Sequence, residues 1–116
     1  MNADRYGTPT AVELVESVVE FLEKDVAGAL SGRPRFHLRV AVNALNIVRR
    51  QLQLGSDNNR LCDAALASLG VSSERELSDA IRSGALEDGY QLRGVLRTLV
   101  TARLQVNNPT YLETYT

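Results

Sequence analysis

Tryptophan is absent from this chain of 116 residues, and cysteine, histidine and methionine occur once each. With Cys62 alone, neither a disulfide framework nor a cysteine-based zinc site can form within one chain. With His37 alone, a multi-histidine metal site is excluded as well. No cofactor or metal is therefore expected. Aromatic residues make up only 5% of the chain, too few for the stacked platforms that bind single-stranded nucleic acid. The formal net charge is -1, so no global field draws the chain to nucleic acid. No apolar run approaches the roughly 20 residues of a membrane span, and no membrane partner is expected. The opening MNADRYGTPTAVEL has neither a basic start nor an apolar stretch, so no secretory leader is read there and a cytoplasmic location is expected. Glycine-rich phosphate loops and acidic metal loops are also missing. What remains is ordinary globular usage, 44% hydrophobic and 23% charged, which suits one folded domain with a core of its own.

The order of the charges says more than their sum. Residues 1–25 hold two basic residues against six acidic, and residues 33–60 hold six arginines against Asp57 alone. Residues 61–92 return to two basic against six acidic, and residues 93–116 hold three arginines against Glu113. Such alternation suits neighbouring helices whose fields attract.

Hydrophobic spacing predicts an all-α fold, a compact bundle of about five helices with a central second helix. Thr10-Ala11-Val12-Glu13 reads as a capping box. Val12, Val15, Val18, Val19, Leu22 and Val26 follow at helical spacing, opposite Glu13, Glu16, Glu20 and Glu23. Gly28 weakens this helix, and Ser31-Gly32 stops it. Pro34 suits the first position of the second helix, which runs unbroken to Leu54 before Gly55. Its apolar arc, including Phe36, Val40, Ala44, Ile47 and Val48, covers most of the circumference. That predicts neighbours on two or more sides, so the helix is either the central one of the domain or completes its burial in a homodimer. Ser56-Asp57-Asn58-Asn59 reads as a polar turn, followed by a short helix with Leu61, Ala65, Leu66 and Leu69 that ends at Gly70. Ser73 to Glu76 forms a second capping box, opening a helix through Leu77 and Ile81 to Gly84. Asp88 is the expected N-cap of the last helix, with Gln91 at the box position and Leu92, Val95, Leu96, Leu99, Ala102 and Val106 inside. The organisation expected is an N-terminal arm over 1–9, one helical domain over 10–112 and a tail over 113–116.

Few residues suggest chemistry. His37 lies within the apolar arc of the second helix and reads first as a buried histidine bonded to a carbonyl or carboxylate. The alternative is an acid–base or ligand-contacting group. Arg39, Asn43, Asn46 and Arg50 fall at i, i+4, i+7 and i+11, with Arg35 at the N-terminal end. This stripe could hold a phosphate or carboxylate, or pair with Glu13, Glu16 and Glu20 of the first helix. Asn43 borders the apolar arc and is expected to be partly buried. Arg103 falls amid the apolar face of the last helix, where a buried arginine needs a carboxylate, so it reads as a structural salt bridge. No nucleophile, base and orienting group come together, so no enzyme activity is expected.

Three blocks carry a resemblance. They are Pro9-Thr10-Ala11-x-Glu13-Leu14, then Phe36-His37-x-Arg39-Val40-Ala41-x-Asn43-Ala44-Leu45, then Asn108-Pro109-x-Tyr111-Leu112. Together they resemble a small bacterial family of unknown function, from about Pro9 to Leu112, with residues 56–60 shorter than the matching loop of many relatives. The resemblance implies genomic neighbours of two kinds, aminoglycoside-phosphotransferase-like kinases and acyl-CoA dehydrogenases. It implies an accessory or interaction domain that partners such a kinase in acyl-CoA or hydroxy-acid catabolism. A small-ligand-binding protein, holding an anionic metabolite on Arg39, Asn43 and Arg50, is the alternative.

Overall fold

The computed structural model describes residues 7–115. Most of the expected arm, residues 1–6, lies outside them, as does Thr116. Among the described residues there are five α-helices and no strand, so the all-α expectation holds: α1 (Ala11–Phe21), α2 (Gly32–Ser68), α3 (Glu74–Ser83), α4 (Tyr90–Asn107) and α5 (Pro109–Tyr115). The chain divides at Gly55 and Ser56 into two compact units, which are described in turn.

The N-terminal unit begins with a complete capping box. The Thr10 hydroxyl accepts from the Glu13 amide at 3.2 Å, and the Glu13 carboxylate accepts from the Thr10 amide at 2.9 Å. Regular α1 ends at Phe21, earlier than the apolar period suggests. The chain continues through a π-helical turn (Leu22–Val26) and a 3-10 turn (Ala27–Ala29) to an extended Leu30. Helix α2 then starts at Gly32, so Pro34 sits two residues inside the first turn rather than at its start. Its missing N–H still costs nothing there.

No described residue of the N-terminal unit is buried, and within one chain the apolar arc of the second helix is left largely uncovered. Leu38, Leu45 and Leu52 are half-buried, but Ala41 and Ala44 are exposed, and Phe36, Val40 and Val48 keep 45–62% of their surface in water. On α1, Val12, Val15 and Val19 are half-buried, whereas Leu14, Val18 and Phe21 are exposed.

The C-terminal unit holds the core. Leu66, Leu77, Leu92, Val95 and Leu99 are only 3–8% exposed, with Cys62, Ala65, Leu69, Val71 and Leu86 packed around them. The expected polar turn at residues 56–59, and with it the shortened loop at 56–60, is absent. Helix α2 continues to Ser68, merging two predicted helices into one. The count of five is restored because Pro109–Tyr115, most of the expected tail included, is helical.

The stops at Gly70 and Gly84 are as expected. Both adopt left-handed backbone, φ +77° and +80°, a conformation that glycine alone enters without penalty. Ser73 caps α3 by accepting from the Glu76 amide at 3.1 Å, while the Glu76 carboxylate accepts from Ser72 rather than from Ser73 itself. Asp88 is not the cap of α4. Its carboxylate takes two hydrogen bonds from Arg93, at 2.9 and 2.8 Å, and Gln91 donates to the Ser68 carbonyl at 2.9 Å. Gly89 occupies the N-cap position, without a side-chain bond.

Candidate functional site

Within the N-terminal unit, the π-helical turn and the start of the 3-10 turn bring Glu23 and Ala27 over one face of α2. Extra residues of this kind inside helices recur at functional sites. Together with Leu38, Arg39, Val42, Asn43 and Asn46 they line an open pocket of about 310 Å³. Three of the sequence-predicted residues, Arg39, Asn43 and Asn46, therefore meet in one concavity. Leu38, Val42 and Ala27 supply its apolar part; one guanidinium, two carboxamides and one carboxylate supply the polar part. Such a set can hold a small molecule bearing an anionic group and a donor.

The other candidates lie elsewhere. Arg50 is half-buried, already engaged, and not among the lining residues. Arg35 is exposed near the start of α2. His37 is exposed, not buried, and its ring stands edge-on to Phe36 with centroids 5.8 Å apart. It shares the outward apolar arc of α2, and that arc has no cover to bury it. Asn43 is exposed too, because the boundary of the arc it occupies faces the open pocket.

Two of the three carboxylates expected to match the arginine stripe, Glu13 and Glu20, have local partners. Glu13 closes the α1 cap, and Glu20 pairs with Lys24 at 2.8 Å. Those contacts hold both carboxyls below the usual carboxylate range: for Glu13 chiefly the Thr10 backbone bond, for Glu20 chiefly the Lys24 hydrogen bond. Among the described residues, no ion pair joins Arg39 to a carboxylate.

The C-terminal unit adds residues that the sequence reading passed over. Asn58, Arg97, Thr98, Thr101 and Gln105 line an open groove of about 490 Å³, with Leu61, Gly94 and Ala102. The signal was there to find, since Arg97, Thr101 and Gln105 repeat every fourth residue of α4. Arg103 forms its expected salt bridge, with Glu74 at 2.9 Å, but exposed rather than buried. Its long side chain leaves the apolar face and ends in water. Burial, reinforced by Glu74 and Asp63, pushes the Cys62 thiol above its ordinary value, which keeps it a poor nucleophile at neutral pH. Among the described residues, no group of three or more ligating side chains could hold a metal, and no helix is long and apolar enough to cross a membrane.

A family model described as a domain of unknown function, DUF6285, matches residues 28–111. No curated protein and no solved structure matches the chain.

Proposed function

The chain belongs to the DUF6285 family, and we propose that it is a non-catalytic interaction module whose N-terminal unit docks another protein chain. One observation carries this reading. Phe36, Val40, Ala44 and Val48, at i, i+4, i+8 and i+12 of α2, form a continuous apolar stripe that is exposed along its length. Single exposed apolar residues are commonplace, but a contiguous stripe marks a surface that meets another molecule. Resemblance in the second-helix block suggests the partner to test: a phosphotransferase-like kinase, with an acyl-CoA dehydrogenase as the other candidate, in acyl-CoA or hydroxy-acid catabolism. The test is calorimetric titration of the neighbouring kinase with wild type and with Val40→Glu. Binding weakened at least tenfold in the variant, with its helix content unchanged, is the expected result. A kinase that binds both equally, or neither, overturns the reading.

The pocket beside Arg39 favours a second reading, the binding of a small anionic metabolite. Mass action would then raise the melting temperature with phosphate or an acyl-CoA ester. Arg39→Ala would abolish that rise while leaving the melt of the unliganded protein nearly unchanged.

A further inference from the structure

We propose that the exposed arc of α2 is covered by the acidic α1 of a second copy of this chain, in a reciprocal, two-fold exchange. This rests on the interaction reading, since it fills the same face; a kinase reaching that face displaces the copy. The charges choose the occupant. Between residues 32 and 55 the chain carries five arginines and no carboxylate. Two of them, Arg33 and Arg35, stand in the opening turn of α2, where no acidic residue accompanies them. A helix N-terminus disfavours cations, so the arrangement calls for a nearby acidic surface.

Pairing α2 with its own copy would set arginine against arginine. The occupant that fits is an acidic amphipathic helix with its own exposed apolar stripe, and the chain contains one. Leu14, Val18 and Phe21, at i, i+4 and i+7 of α1, are exposed apolar side chains. The same segment through the π turn carries Glu13, Glu16, Glu20, Glu23 and Asp25 against Lys24 alone. In its own chain this stripe is exposed, while Glu23 and Ala27 of the segment that follows α1 line a pocket with Leu38, Val42 and Asn46. Seating α1 of each copy on α2 of the other covers both stripes and brings a net-acidic helix against a net-basic one. Because each copy gives and receives the same contact, the exchange closes at two chains and leaves no free end.

Two charge-altered proteins test this. One carries Glu20→Arg; the other carries Arg33→Glu and Arg35→Glu. Sedimentation equilibrium should show wild type at twice the chain mass, dissociating as salt is raised, because the attraction between exposed charges is screened. Each altered protein alone should fall to the mass of one chain, and mixing them should restore the dimer, since both exchanged pairs in the mixture then join opposite charges. Circular dichroism confirms that both stay helical; a variant that unfolds is replaced by Glu20→Lys or by Arg33→Glu alone. Monomeric wild type overturns the pairing, and the kinase titration then decides the interaction reading separately. A dimer indifferent to the substitutions, or a mixture that associates no better than its parts, overturns it too.

Discussion

The Arg103 guanidinium reaches Glu74 with one nitrogen 3.2 and 2.9 Å from the two carboxylate oxygens, while the side chains keep 62% and 51% of their surface in water. An exposed pair of this kind contributes at most about 1 kcal/mol. Arg103→Ala should therefore lower stability by less than about 1 kcal/mol in urea melts. A loss of about 3–5 kcal/mol would instead mark a buried pair broken by removing one partner. The salt bridge was legible in the sequence, since an arginine amid leucines needs a carboxylate. Its exposure was not, because a helical wheel gives the angle of a residue and not the reach of its side chain. His37 was misjudged for a related reason: its angle places it among apolar neighbours, but those neighbours are themselves uncovered.

Helix α2 shows how one distant contact overrides local preference. Ser56-Asp57-Asn58-Asn59 is a turn by composition, yet all four residues are helical. The Asn58 amide donates to the Ala102 carbonyl at 3.4 Å, 44 residues away, and Asp57 pairs with Arg60 one turn on. Two of the four side chains that would otherwise bond locally and break the helix are thus occupied, and helical preference is weak enough to yield. By contrast, Gly70 and Gly84 were readable as stops because the left-handed backbone they supply is a local need. Gly55 lies inside α2 with open space where a Cβ would sit. Gly55→Ala should thus raise stability by about 0.5–1 kcal/mol, the cost of glycine within a helix. Urea melts decide this, and a destabilised variant would mean that the helix breaks at the unit boundary after all.

Across the whole chain, periodicity marked every buried residue of the C-terminal unit, but it also placed inside Leu61, Ile81 and Leu96, which are exposed. Leu66, Leu77, Leu92, Val95 and Leu99 all stand on predicted apolar faces and are all buried. The same periodicity marked Phe36, Val40, Ala44 and Val48, and those are exposed. Spacing shows that a face is apolar; what covers it depends on partners beyond the helix, including other chains. The polar stripe of α2 was half legible in the same way. Its spacing placed Arg39, Asn43 and Asn46 on one face, but only the π-helical turn, invisible in the composition, sets Glu23 and Ala27 opposite them.

The central claim is that the α2 arc is open in the single chain and closes on association. Because the chain lacks tryptophan, Phe36→Trp places one fluorescent reporter at the end of that arc. In dilute protein, indole emission should be that of a water-exposed ring, readily quenched by acrylamide. It should shift to the blue and lose its quenching as protein concentration rises or a docking partner is added. Blue, quench-resistant emission that persists unchanged on dilution would contradict the account, for it would mean that the arc is already packed within its own chain.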